Sequence, residues 1–259
     1  RGTSDNHGIM LNSNNYFSVI EYNNVTTNGT TTTNLGVYVV SNGAGNNITN
    51  NIVNTTGTSG NTGIRLWINV NLTVVDNNNI STGGTTYSNL GIYLPGSATS
   101  NNITNNIINT SGTSGNNGLQ IEGSSNDTLI LNNSIKTGST SSSNEGILIQ
   151  SKTFRTNITH NRIASNGVGG SVHGVRFLNN ADNNVVEYNN ITINATAGSN
   201  FGIVSTTSTG NNITNNVIAT NGTSSNEGIR VQTDSNNTLV NNNDITTTGS
   251  AGSNIGINL

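Results

Sequence analysis

The chain has 259 residues, no cysteine, one proline, only 7% charged residues and a formal net charge of -3. This balance excludes a disulfide framework or thiolate metal site. It also argues against nucleic acid as a partner, because phosphate binding needs clustered Lys and Arg. No run of 18 apolar residues occurs, so no membrane-spanning helix is expected, and no segment reads as a signal peptide.

Richness in Asn, Thr, Ser and Gly alone would suit a disordered chain. Here, however, the letters keep a register. Glycines recur at Gly8, Gly36, Gly63, Gly91, Gly118, Gly146, Gly174, Gly202, Gly228 and Gly256, spaced by 26 to 28 residues. Each of these glycines opens an apolar–variable–apolar run, such as Gly91-Ile92-Tyr93-Leu94 or Gly228-Ile229-Arg230-Val231, the alternation of a strand with one buried face. A second short apolar run follows in each coil, as in Leu129-Ile130-Leu131. A third starts at an apolar anchor, in the series Val25, Ile52, Ile80, Ile107, Ile135, Ile163, Ile191, Val217 and Ile245. Three short strands per coil, ended by Asn, Gly or Ser, predict an all-β parallel β-helix of about nine coils, stacked about 4.8 Å apart. The unbroken repeat predicts one solenoid domain over 1–259. Both ends fall in mid-coil, which reads as a section of a longer rod.

Two Asn columns accompany the strands. Two residues before each anchor stand Asn23, Asn50, Asn78, Asn105, Asn133, Asn161, Asn189, Asn215 and Asn243. A side-chain amide is both donor and acceptor, so a buried column of this kind predicts a hydrogen-bonded ladder running from coil to coil. A second column stands two residues before each repeat glycine, from Asn6 and Asn34 to Asn254, and only Val172 interrupts it.

Four features bear on function. Asn47, Asn102, Asn157 and Asn212 are Asn-Ile-Thr sequons spaced by 55 residues, a two-coil period, and predict an outward row of glycosylation acceptors. Asn71, Asn126 and Asn236 are further candidates. Outward positions after the glycines place Tyr38, Arg65, Trp67, Tyr93, Gln120 and Glu122 on one face, a set suited to sugar rings through stacking and hydrogen bonding. Lys152, Arg155, Arg162, His173 and Arg176 belong to the most basic stretch of the chain, beside an altered loop at 166–173, and predict a protein contact. Thr31, Thr58, Thr86, Thr113 and Thr223 share a loop register of the kind an ice-binding array would need. Glu145 and His173 occupy the same register in neighbouring coils and can pair.

The coil pattern Gly-Ile-x-Leu, Asn-Asn-Ile-Thr resembles the right-handed parallel β-helix repeat families, the NosD-like and pectate-lyase-like solenoids. These include polysaccharide lyases and hydrolases, epimerases, tailspikes and archaeal or bacterial surface proteins. The resemblance implies the fold, whereas one fold hosts many activities. Enzymes of these families would carry clustered carboxylates. Asp76, Asp127, Asp182, Asp234 and Asp244 instead fall in different coils and registers, and neither Asp-x-Asp nor Gly-His-Gly occurs. His7, His160 and His173 lack metal-ligand spacing, and no cofactor is expected. The sequence therefore predicts a non-enzymatic extracellular structural protein, a glycosylated subunit of a filament, sheath or surface layer. Its expected partners are itself, head to tail, covalent glycans and cell-surface polysaccharide. The alternatives are a carbohydrate-binding or carbohydrate-processing β-helix (adhesin, tailspike, or lyase- or epimerase-like) and an ice-binding solenoid.

Overall fold

The computed structural model describes residues 3, 5–169, 171–223 and 225–259, and of Ser142 the backbone only. Parts of the expected N-terminal loop and of the altered loop at 166–173 lie outside the described residues. The architecture is three parallel sheets of ten, nine and nine strands. One coil illustrates the rest. Leu90–Pro95 lies in the first sheet, Asn102–Thr104 in the second and Ile107–Ser114 in the third. Each strand pairs with its counterparts one coil away, and no helix occurs among the described residues.

Alternation within the strands builds the core. From the first sheet Ile92 and Leu94 point inward, from the second Ile103 and from the third Ile108, and all four are fully buried. Their equivalents form one apolar cluster that runs through the stack. The repeat glycines stand where the first strand approaches the third most closely. A Cβ on any of them from Gly8 to Gly228 would meet the Cγ of a Val or Ile on the third strand at 2.1–2.3 Å. It would also meet the carbonyl oxygen of the next coil's glycine at 2.4–2.7 Å.

The amide ladder is present, but its register corrects the sequence reading in three coils. The bonded column is Asn23, Asn51, Asn78, Asn106, Asn133, Asn161, Asn189, Asn216 and Asn243, with Nδ2 to Oδ1 distances of 3.0–3.1 Å. Asn50, Asn105 and Asn215 stand one residue too early. Correspondingly, the inward anchors are Val53, Ile108 and Ile218, while Ile52, Ile107 and Val217 face outward. The cause is local duplication. Each misread coil reads Asn-Asn followed by two apolar residues, so the pattern fits both registers, and a one-residue slip exchanges the faces of a strand. Asn50, Asn105 and Asn215 take left-handed backbone angles at the bend, at φ 55–57°, where Asn is well tolerated. They form a looser outer set with Asn77, Asn132 and Asn242.

Every polar group of a central ladder residue is used. Asn133 Oδ1 accepts from the backbone N–H and Nδ2 of Asn106, and its Nδ2 donates to Ile103 O, Leu131 O and Asn161 Oδ1. The second column also forms a ladder, from Asn6 through Asn34, Asn61 and Asn89 to Asn116 and again from Asn200 through Asn226 to Asn254. Val172, apolar and fully buried, sits in the gap. A third amide position, at the bend into the second sheet, is not apparent in the sequence reading. There Asn46, Asn101 and Asn184 accept the N–H groups of Ser18, Thr73 and Thr156.

Candidate functional site

The outer face of the first sheet carries two ordered rows. Cross-coil pairing places Tyr38, Arg65, Tyr93 and Gln120 in line, and Trp67 and Glu122 two residues further along their strands. The face is organised around Arg65. Its guanidinium carbon lies 4.7 Å from the Trp67 ring centroid, 5.3 Å from that of Tyr93 and 5.7 Å from that of Tyr38. Distances of this order give attraction between the cation and each ring face. Tyr38 and Trp67 stack at 6.1 Å, and His7 meets Tyr38 edge-on at 5.2 Å.

Glu122 closes the other end of the cluster. It accepts hydrogen bonds from Tyr93 Oη and Gln150 Nε2, and from Gln120 Nε2 at 3.1 Å. Gln120 in turn accepts from Asn117 Nδ2 at 2.9 Å. Burial, and secondarily the Glu122 carboxylate, push the Tyr93 phenol well above its ordinary value, so Tyr93 stays a donor. Between Arg65, Tyr93 and Gln120 of the first row and the loop residues Thr33, Gly60, Ser88 and Gly115 runs an open groove of about 340 Å³. All six residues of the expected sugar face are thus contiguous. Asn117, which the sequence reading omits, joins them from the outward position one residue before Gly118, as Thr62 and Leu90 do before Gly63 and Gly91.

Further along the same face, Glu145 and His173 are neighbours in register, as their spacing suggests, but both are buried, at 4% and 3% exposure. His173 Nδ1 stands 3.5 Å from Glu145 Oε1, a polar contact rather than a formed hydrogen bond, and Arg176 Nη1 bonds the same oxygen at 3.2 Å. Burial holds the His173 imidazole below its ordinary value of 6.5, against the pull of Glu145. For Glu145 burial works upward, but His173 and Arg176 outweigh it and hold the carboxyl below 4.5. Both groups therefore take up protons more readily when the chain is unfolded. Stability should be greatest above about pH 6.5 and fall as pH drops through the window below it, with a further loss below about 4.5. Thermal midpoints at pH 7.5 and 5.5 should show this fall. Replacing His173 by Gln should shrink it, and an unchanged pH dependence would exclude His173 as its source.

The residues of the basic stretch are spread around the rod and do not form one surface. His173 and Arg176 belong to the Glu145 cluster on the first sheet. Lys152 and Arg155 lie at the bend after it, where Arg155 Nε pairs with Asp127 at 2.6 Å and holds that carboxyl below its usual range. Arg162 projects from the third sheet. One coil encircles the rod, so residues close in sequence are spread around its circumference. The loop threonines likewise present no free array. The hydroxyls of Thr58, Thr86 and Thr113 donate to carbonyls of the preceding coil at 2.7–2.8 Å, and those of Thr31 and Thr223 do the same. Among the described residues no group of His, Asp or Glu is placed to hold a metal ion.

Fold and face together define an all-β parallel solenoid with an aromatic and amide-rich groove along one sheet. The chain belongs to the family described as right-handed β-helix region, whose model matches residues 90–256. No curated protein matches it in sequence. Among solved structures it is similar to the periplasmic alginate epimerase AlgG, at 13% identity and a TM-score of 0.45, covering 87% of this chain and 78% of that one. It is also similar to the surface protein and adhesin PfbA of Streptococcus pneumoniae, at 12% identity and a TM-score of 0.43, covering 99% and 84%. Likeness at this level shows the fold alone. The expectation of a non-enzyme does not stand: the chain has the fold of the right-handed β-helix region, and one fold hosts many activities, so missing lyase and hydrolase motifs do not exclude catalysis.

Proposed function

We propose that the chain is an extracellular or cell-surface carbohydrate-binding β-helix that holds an extended glycan along the outer face of its first sheet. The observation that carries this reading is the row of Arg65, Tyr93 and Gln120 lining one groove, with Trp67 against Arg65 and Glu122 bonded to Tyr93 and Gln120 beside it. Aromatic faces pack on the C–H faces of sugar rings, while fixed amides and a carboxylate pair with hydroxyls. Neighbouring rungs are about 4.8 Å apart, so a linear chain laid along the rod meets one rung after another. A structural role in a filament, sheath or surface layer is a second reading, favoured by the three sheets that continue through every coil and stiffen the rod.

Binding of a panel of soluble polysaccharides, followed by calorimetry, tests the first reading. Trp67→Ala and Arg65→Ala should each weaken the best ligand about tenfold, which corresponds to about 1.4 kcal/mol. Failure of every extended glycan to bind, or binding indifferent to both substitutions, would refute it.

A further inference from the structure

The second sheet presents a different outer face, in which alternate coils differ. Its first outward row runs Val19, Asn47, Val74, Asn102, Leu129, Asn157, Val185, Asn212, Leu239. The four sequon Asn therefore stand in one line, two coils or about 9.6 Å apart. In each Asn-Ile-Thr the Ile is fully buried in the core (Ile48, Ile103, Ile158, Ile213). Alternation then turns the Asn and Thr side chains to the same side of the sheet, with Thr49 and Thr104 half-buried and Thr159 and Thr214 covered by their neighbours. Asn47 and Asn102 are exposed. Asn157 and Asn212 are half-buried, with Oδ1 enclosed and unpartnered, which leaves Nδ2 as the outward end of the amide.

The other candidates differ. Asn71 Oδ1 accepts the Thr99 N–H at 2.7 Å and its hydroxyl at 2.9 Å, and Asn126 Oδ1 accepts the Phe154 N–H at 2.8 Å. Those amides shape the bend between the first two sheets, and Asn236 stands at the same bend.

From this separation we infer that the second sheet is a glycan stripe, with N-linked sugar on Asn47, Asn102, Asn157 and Asn212 and none on the bend amides Asn71 and Asn126. In the transfer, Asn Nδ2 attacks the anomeric carbon of a lipid-diphosphate-linked oligosaccharide. A C–N bond forms, the C–O bond to the diphosphate breaks, and the Nδ2 proton passes to a base of the transferase. On the finished rod the first sugars of successive glycans cover the apolar residues between them, Val74, Leu129 and Val185. This stripe lies on a different sheet from the groove, so neither reading depends on the other.

Peptide mapping by mass spectrometry of protein isolated from its own source tests the stripe. Glycopeptides containing the four row Asn are expected, with unmodified peptides for Asn71 and Asn126. A quadruple Asn→Gln variant of the row, expressed in the same source, should lose the glycan mass carried on those four peptides while keeping its β-sheet circular dichroism. A bare row, or Asn71 and Asn126 occupied as fully as the row, would overturn the inference.

Discussion

Gly146→Ala is expected to cost about 3–5 kcal/mol, at the extreme of what one methyl group can do. The added Cβ would lie 2.3 Å from Ile163 Cγ2 and 2.6 Å from the Gly174 carbonyl oxygen. Neither can yield cheaply. Ile163 is fully buried in the apolar cluster, and the carbonyl is backbone of a paired strand. The nearby coils would have to separate, breaking ladder bonds on both sides. Gly256→Ala is the matched control, since nothing lies within 4 Å of a Cβ there and its backbone is not left-handed. Urea unfolding followed by circular dichroism should separate the two. A loss under about 1 kcal/mol for Gly146→Ala would mean that close approach is not what this column serves.

The second large effect discriminates between adjacent residues. Asn106→Ala should cost about 3 kcal/mol, because it strips partners from the buried backbone N–H and the Nδ2 of Asn78 and from Asn133 Oδ1. The Asn105 side chain bonds only exposed groups, on Asp76 and Asn132, and its backbone bond to Leu131 O survives substitution. Asn105→Gly keeps the left-handed angle available and should change stability by less than about 1 kcal/mol. Equal costs at the two sites, measured by the same unfolding experiment, would put the inner ladder in the wrong column.

That pair of residues also marks where the sequence is legible and where it is not. The coil period, the three strands and the glycine column can be read directly, because backbone crowding admits no other residue at Gly36 or Gly118 and the constraint recurs from Gly8 to Gly228. The second Asn column and its interruption at Val172 can be read for the same reason, although the loss of the amide link at Asn144 cannot. The groove residues can be read because outward positions follow from counting two and four from each glycine. Ladder register in three coils cannot, since Asn50-Asn51 and Ile52-Val53 satisfy the pattern in either phase and only three-dimensional pairing chooses. The burial of Glu145 and His173 is hidden too, because alternation assigns both to the outside and says nothing of how closely their neighbours crowd them. The basic stretch misleads for a simpler reason: proximity along a coil is not proximity on a face.

The amide ladders have one property that their bond lengths do not convey. Every side-chain link in both columns donates toward the later coil, from Asn23 to Asn51 and from Asn6 to Asn34 onward, and none runs the other way. The amide dipoles therefore add along the rod axis, and each link polarises the next. In the first column this addition continues from Asn23 to Asn243, whereas in the second it stops at Asn116 and resumes at Asn200, across the coils of Asn144 and Val172. The solenoid is thus an electrically directional object as well as a geometric one, with the carbonyl ends of the ladders facing earlier coils and the N–H ends facing later ones.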